Sequence, residues 1–373
     1  MAAIIRPSPS VASLLRTQYA PFKVARTAAY IAQRAGPSAE QTRSYGTRQL
    51  PAPVDLAFDV IEPKDVRIAD QSMVICHGLF GSKQNWRSLA KAFAQKLGMN
   101  VYTLVCGVLQ NRLLRFHVAD YIVLAHLRSL SPPTSCRPPL TAPPNDMRNH
   151  GVSPHVKPHN YDAMAADIAL FVEKQGLKNV NLLGHSMGGK AVMAYALNSD
   201  LNGPLRSLMS VDMTPAIGKV SPEFEAYTDN MLEIEHAKVA NRHDADKILH
   251  KVEKNKSTRQ FLLTNMVSDQ DESGKSFLRF RLPVQLLKEE VPSIGEFPYT
   301  PPPPVSATSP QWMGPVLVLK GAQSKYVNRR NIPICEAFFP NCRVEILDAG
   351  HWVHAEKPAE TVELVGQFIL DGK

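Results

Sequence analysis

The chain has 373 residues and a formal net charge of +8. Hydrophobic residues make up 44% of it and charged residues 20%, which excludes a wholly disordered chain, a collagen-like repeat and a disulfide-stapled miniprotein. The length suits one large α/β domain or two ordinary domains. A charge of this size would suit nucleic acid or an acidic membrane, so its distribution along the chain decides whether such a partner is predicted.

The first 50 residues carry most of the positive charge. Seven basic side chains stand against one acid, Glu40, which gives +6. The stretch is rich in Arg, Ser and Ala, and this composition predicts a mitochondrial transit peptide over residues 1–45. Arg43 precedes a predicted processing site, so we expect the mature chain to begin near Gly46 and to lie in the mitochondrial matrix. A disordered basic tail is the alternative.

Short apolar runs alternate with longer helix-like segments from about residue 54. This alternation predicts the α/β class, with a mainly parallel central sheet and helices on both faces, in one domain over residues 50–373. No apolar run is long enough to predict a transmembrane segment. The predicted strands are Ser72–Cys76, Asn100–Val105, Val180–Gly184, Leu208–Asp212, Val316–Lys320 and Val344–Leu347. The predicted helices are Gln84–Leu97, Tyr161–Gln175, Met187–Leu197 and Glu360–Leu370.

Two segments interrupt this alternation. Residues 105–144 follow a predicted strand, contribute +3 and contain six prolines. They are an atypical insertion: either a genuine one or a retained intron, since Val105 and Cys106 can be encoded by a hexamer resembling a splice donor. Residues 217–304 are charged and helix-favouring and end in a proline run, which predicts a helical lid with a Pro-rich return. Without residues 1–50 and 105–144 the net charge is −1, so no nucleic-acid partner is predicted.

The five cysteines are scattered, without the spacing of a metal site. We interpret them as free thiols and predict neither a disulfide nor a bound metal.

The motif G-x-S-x-G occurs at residues 184–188, between a predicted strand and a predicted helix. A nucleophile elbow needs this placement, because small residues at both ends let the backbone turn sharply and expose the serine hydroxyl at a helix N-terminus. Ser186 is therefore the candidate nucleophile. An ordinary Gly/Ser turn is the alternative.

A serine hydroxyl needs a base to take its proton, and histidine suits this role near neutral pH. His351 follows the last predicted strand, where a loop can reach the serine. The loop at 321–326 has no carboxylate, whereas Asp212 ends the preceding strand at the same sheet edge as Ser186. Asp212 is thus preferred as the acid over Asp348, which precedes the histidine too closely. A structural histidine and a capping aspartate are the alternatives.

Acyl chemistry also requires donors for the oxyanion. The glycines of residues 77–82, His-Gly-Leu-Phe-Gly-Ser, follow a predicted strand and allow the backbone N–H of Leu79 to point inward beside that of Met187. These two N–H groups are the predicted oxyanion hole. An isolated motif of this kind could equally form a simple turn.

These motifs together resemble the α/β-hydrolase superfamily. More narrowly, HGLFGSKQNW, DMRNHGVSPH, GHSMGGK, VDMTP and AGHWVHAEKP are similar to the mitochondrial branch that includes abhydrolase domain-containing protein 11 and the fungal ethanol acetyltransferases. The resemblance implies a triad of Ser186, Asp212 and His351, ester or thioester hydrolysis, and no metal or prosthetic group. In the fungal members it implies acetyl transfer from acetyl-CoA, as co-substrate, to an alcohol.

Three functions follow from the sequence. The first is a serine hydrolase that cleaves a small-molecule carboxylic ester or thioester through an acyl-enzyme. The second is an alcohol O-acetyltransferase with the same acyl-enzyme, and the third is a catalytically silent interaction module of the matrix. The acyl chain, the balance between hydrolysis and transfer, and the oligomeric state are not indicated by the sequence.

Overall fold

The computed structural model describes residues 49–56, 58–104, 147–150, 153–301 and 309–372. The predicted transit peptide, the insertion at 105–144 and the proline run after residue 301 therefore lie outside the described residues.

A seven-stranded sheet forms the centre of the described chain, in the order β1-β3-β2-β4-β5-β8-β9. Strand β1 pairs antiparallel with β3, and the other neighbours are parallel, which confirms the predicted α/β class. Strands β6 and β7 form a separate hairpin. The strands are β1 Phe58–Ile61, β2 Ser72–Cys76, β3 Asn100–Leu104, β4 Val180–His185, β5 Leu205–Val211, β6 Met266–Gln270, β7 Ser276–Phe280, β8 Val316–Gly321 and β9 Cys342–Leu347.

Helices cover both faces of this sheet. Alternate side chains of β2 point to opposite faces of the sheet. Met73 therefore joins the core under the helices at Lys83–Leu97 and Pro358–Asp371, while Val74 joins the core under the helices at Tyr161–Lys174 and Met187–Leu197. Every residue of β4 is buried because both faces are covered. The helices are α1 Lys83–Leu97, α2 Tyr161–Lys174, α3 Met187–Leu197, α4 Pro222–Ala237, α5 Arg242–Leu249, α6 Lys256–Leu263, α7 Val284–Ile294, α8 Ile332–Phe338, α9 Val353–Glu356 and α10 Pro358–Asp371.

The segment inserted between β5 and β8 contains helices α4 to α7 and also the β6–β7 hairpin, which the sequence did not predict. A cross-strand ion pair joins the two strands of this hairpin, with Arg279 Nε 2.5 Å from Asp269 Oδ2. The Asp271 carboxylate accepts from two backbone N–H groups of the turn, and Gly274 adopts φ +83° there. These contacts stabilise the turn between β6 and β7.

The described helices include none that is both long and apolar enough to cross a membrane. Three cysteines fall within the described residues, and all three are free thiols: Cys76, Cys335 and Cys342.

Candidate active site

A strained turn presents Ser186 between β4 and α3. Its φ of 53° and ψ of −118° lie in a region that favours glycine. The turn also requires glycine on both sides: a Cβ on Gly184 would lie 2.2 Å from the Gly188 carbonyl oxygen, and one on Gly188 would lie 2.5 Å from the Cys76 carbonyl oxygen. The G-x-S-x-G sequence thus forms the sharp strand-to-helix turn that the motif predicts.

The structure brings the predicted serine, histidine and aspartate into one hydrogen-bonded chain. His351 Nδ1 lies 2.7 Å from Asp212 Oδ2, and His351 Nε2 lies 3.0 Å from Ser186 Oγ. Because the carboxylate can only accept, Nδ1 carries the proton and Nε2 accepts from the Ser186 hydroxyl. This arrangement can remove the proton of the serine hydroxyl when it attacks a carbonyl carbon.

Topology explains why these three residues meet. Ser186 follows β4, Asp212 follows β5, and His351 lies in the loop after β9, so all three stand beyond the carboxyl ends of parallel strands. Asp212 is fully buried and has φ +51°, which turns the chain at the end of its strand. The His351 side chain is 12% exposed and faces the cavities described below.

Two residues of the loop after β8 also contact the hydrogen-bonded series of Ser186, His351 and Asp212, and sequence reasoning missed both. The Ser324 hydroxyl donates to Asp212 Oδ2, and the Tyr326 ring stacks on the His351 ring with centroids 4.1 Å apart. Burial raises the pKa of Tyr326 to about 12. One sequence signal could have drawn attention to these two residues: the loop after β8 lacks the carboxylate that many proteins of this architecture carry at that place.

Further histidines surround His351, and burial lowers their pKa values. The His185 pKa is lowered well below its usual value, that of His354 to about 3 and that of His77 to about 4. The His185 Nε2–H donates to the His351 carbonyl oxygen at 3.1 Å, and His354 stacks on Trp86. These rings are therefore neutral near pH 7 and act as packing and hydrogen-bonding groups.

The predicted oxyanion residues lie beside the serine. Met187 is the first residue of α3, and the N–H groups of a first helical turn have no acceptor within their helix. Leu79 lines the same cavities as Ser186, and a Cβ on the neighbouring Gly78 would lie only 3.1 Å from Ser186 Cβ. Phe80 has φ +58°, which turns the loop backbone at this point.

Residues of the DMRNHG motif hold the loop that carries Leu79 and Phe80 in place. His150 Nε2 accepts from the Phe80 N–H at 3.1 Å, and His150 Nδ1–H donates to the Arg148 carbonyl oxygen. The Arg148 guanidinium makes a fully buried bidentate contact with Asp167, at 2.6 and 2.7 Å. Through Arg148 and His150 the motif therefore anchors the predicted oxyanion loop to α2, and the role of Arg148 is structural.

Two cavities meet at Ser186. The smaller, of about 120 Å³, is largely apolar; the residues that line only this one include Phe80, Tyr227, Phe261, Leu262 and Trp352. The larger, of about 600 Å³, is lined by more polar side chains, among them Lys190, Lys219, Gln323, Lys325 and Asn328. Among the apolar residues of the segment between β5 and β8, Phe261 and Leu262 reach the smaller cavity, whereas Met231, Leu263 and Met266 are buried in the core.

Lys190 ties the lid to the helix that follows the serine. Its ammonium group donates to the carbonyl oxygens of Gly295 at 3.1 Å and Glu296 at 3.0 Å, just after α7. Burial lowers the pKa of Lys190 to about 8. The last residue of the GHSMGGK motif therefore fixes one wall of the larger cavity. Among the described residues, no three His, Cys, Asp or Glu side chains are grouped so as to hold a metal ion.

The family described as alpha/beta hydrolase fold matches residues 145–358. A probable alcohol acetyltransferase of Saccharomyces cerevisiae is 32% identical over 340 residues, covering 86% of this chain and 85% of the relative. The chain belongs to the α/β-hydrolase fold family. The sn-1-specific diacylglycerol lipase ABHD11 of Xenopus laevis, another member, is 32% identical over 321 residues, covering 85% of this chain and 84% of the relative.

These relatives confirm the branch of the α/β-hydrolase family that the motifs predicted. A solved marine microorganism esterase matches 86% of this chain and 100% of its own length, with a TM-score of 0.62 and 23% sequence identity. At that identity the match supports the α/β-hydrolase fold alone.

Proposed function

We propose that this α/β-hydrolase is a serine hydrolase that cleaves carboxylic esters or thioesters through an acyl-enzyme. The observation that carries the proposal is the hydrogen-bond chain from Ser186 through His351 to Asp212, which begins at a strained elbow. Strain of about 1–3 kcal/mol is typically retained at a functional residue.

In this mechanism the Ser186 oxygen attacks the carbonyl carbon while His351 Nε2 takes the hydroxyl proton. Asp212 orients the imidazole and stabilises the imidazolium. The N–H groups of Leu79 and Met187 donate to the oxyanion. His351 then gives its proton to the departing alcohol or thiol, and a water molecule, deprotonated by the same nitrogen, releases the acid. The chain's own side chains supply every proton transfer, so the proposal includes no metal or prosthetic group.

The two cavities suggest how the substrate lies. The smaller cavity, with its aromatic walls, suits the acyl group, and its volume of about 120 Å³ favours short chains. The larger cavity, of about 600 Å³, suits the alcohol or thiol part and contains the side chains of Lys190, Lys219 and Lys325. The proposed substrate is thus a small ester or thioester whose leaving group is larger and more polar than its acyl group.

Hydrolysis is tested with p-nitrophenyl acetate, p-nitrophenyl palmitate and dioleoylglycerol as a panel. We expect the acetate to be cleaved and Ser186→Ala to lose at least about 10³-fold in kcat. Ser273→Ala, at the exposed tip of the β6–β7 hairpin, is the matched control and retains activity. A folded wild type without activity on any of the three would favour the silent interaction module. Preferential cleavage of dioleoylglycerol would contradict the short acyl cavity.

A second candidate, alcohol O-acetyltransferase, is supported by the relative in Saccharomyces cerevisiae. The larger cavity opens on Ser186 beside the smaller one, which leaves room for an alcohol to replace water while the acyl group remains bound. Acetyl-CoA would be the co-substrate. Incubation with acetyl-CoA and ethanol distinguishes the two reactions: ethyl acetate indicates transfer, and acetate alone at high ethanol excludes it.

We further propose that the protein acts in the mitochondrial matrix after removal of residues 1–45. N-terminal sequencing of the protein from isolated mitochondria should begin near Gly46, and an intact Met1 would contradict this. The family match begins at residue 145, directly after the insertion at 105–144, and this start agrees with a retained intron and with a genuine insertion alike. Sequencing of cDNA across residues 104–146 distinguishes the two, because uniform retention would exclude the retained intron.

A further inference from the structure

Residues 321–326, which run from the last residue of β8 into the following loop, contact the carboxylate of the proposed triad from two sides. The Gly321 N–H donates to Asp212 Oδ1 at 3.0 Å, and the Ser324 hydroxyl donates to Asp212 Oδ2. The Ser324 oxygen in turn accepts from the Tyr326 N–H at 3.2 Å. The two donors provide hydrogen bonds to both oxygens of this fully buried carboxylate and fix the plane of the group.

The same loop contacts the histidine. The Tyr326 ring lies 4.1 Å from the His351 ring between centroids, with the two planes 29° apart. A near-parallel stack prevents rotation of the imidazole out of line with Ser186 and Asp212. When His351 becomes an imidazolium, the negative face of the phenol ring attracts it, as aromatic faces attract other cations within about 6 Å.

We propose that Ser324 and Tyr326 are positioning residues for the hydrolytic reaction. Ser324 holds the Asp212 carboxylate so that Oδ2 faces His351, and Tyr326 holds the imidazole plane and stabilises its protonated form. The inference rests on the proposed function, since it requires His351 to act as the base. The loop that carries no carboxylate thus serves the triad through a hydroxyl and an aromatic ring.

Other titratable groups also face His351. Asp212 lies beyond β5, His185 ends β4 with its ring 4.8 Å from the His351 ring, and His354 lies in α9. Glu223, in the first turn of α4, lines both cavities with His351. His185 and His354 are neutral. Lys190, Lys219 and Lys325 line the larger cavity with His351 and disfavour the imidazolium, whereas Asp212, Glu223 and the Tyr326 ring favour it. Removing the ring alone leaves both carboxylates in place.

The test measures kcat and KM of the full chain with p-nitrophenyl acetate from pH 5 to pH 9. Tyr326→Leu should lower kcat about fivefold, with KM within about threefold, and should move the acid limb of kcat/KM about half a pH unit toward lower pH. The shift has this sign because a less stable imidazolium keeps His351 unprotonated at lower pH. Tyr326→Phe, which keeps the ring, should restore both kcat and the acid limb.

Ser324 is tested in the same assay. Ser324→Ala should lower kcat about tenfold with KM within about threefold, and Ser324→Thr, which keeps the hydroxyl, should recover most of the kcat. An unmoved acid limb in Tyr326→Leu, or a Tyr326→Phe variant as impaired as Tyr326→Leu, would overturn the role of the ring. Active wild type with unaffected variants would refute only the positioning roles, whereas inactive wild type would refute the proposed function as well.

Discussion

The strain at Ser186 leads to a prediction about stability that reverses the usual order of glycine and alanine. With φ 53° and ψ −118°, residue 186 occupies a region that costs about 1–3 kcal/mol for a residue with a Cβ. Replacement by glycine removes that cost but adds about 0.4–1 kcal/mol of unfolded-state entropy. Ser186→Gly should therefore be more stable than Ser186→Ala by about 1–2 kcal/mol, since both lose the hydrogen bond to His351.

Urea unfolding of the two variants measures this difference. With an m-value of about 3 kcal/mol per M, the midpoint of Ser186→Gly should lie about 0.4 M above that of Ser186→Ala. The control is Ser268, which is exposed in the middle of β6, where glycine should be less stable than alanine by about 0.5–1 kcal/mol. An alanine variant at residue 186 as stable as the glycine variant would refute the strained elbow.

Three further predictions concern the scaffold around the site. Arg148→Met leaves Asp167 buried without its partner and should cost about 3–5 kcal/mol in urea unfolding; a cost below about 1 kcal/mol would show that the pair does not anchor the oxyanion loop. Gly188→Ala should destabilise by about 3 kcal/mol, because its Cβ would lie 2.5 Å from the Cys76 carbonyl oxygen, whereas Gly203→Ala meets nothing within 4 Å and should be near neutral. The pKa values of His77 and His354 are lowered to about 4 and about 3, so the unfolded state binds more protons below pH 6.5. As the pH is lowered below 6.5, the free energy of unfolding should then fall by about 1.4 kcal/mol per pH unit for each histidine. His354→Phe should lessen this slope between pH 6 and pH 4, and a slope identical to that of the wild type would contradict the assignment.

Much of the fold followed from the sequence because its signals were local. Helix α3 occupies residues 187–197 as predicted, and β2 occupies residues 72–76. Once parallel strands were predicted, Ser186, Asp212 and His351 could be placed together, since the carboxyl ends of parallel strands meet at one edge of a sheet. The absence of a carboxylate after β8 was enough to select the aspartate after β5.

Other features depend on contacts distant in sequence. Strand β1 has only four residues and pairs antiparallel at the sheet edge, so its pattern is too short to detect. The β6–β7 hairpin was not predicted, because the ion pair that joins its two strands forms only when the strands lie side by side. Ser324 and Tyr326 gain their contacts with Asp212 and His351 only when β5, β8 and β9 lie side by side. A serine and a tyrosine at this spacing match no sequence motif, so their role could not be predicted.

The contacts that hold the predicted oxyanion loop in place could not be predicted from neighbouring residues either. His150 reaches the Phe80 N–H across 70 residues of sequence, and its position depends on the buried contact of Arg148 with Asp167. The motif was recognised, but the reason for its residue types required the fold.

The central claim is that Ser186 is an activated nucleophile, and covalent labelling tests it most directly. A fluorophosphonate probe is incubated with the folded full chain, and the modified residue is located by peptide mass spectrometry. We predict one adduct on Ser186, which is lost in Ser186→Ala and formed much more slowly in His351→Ala. An unlabelled wild type, or label at another serine that persists in Ser186→Ala, would contradict the proposed mechanism.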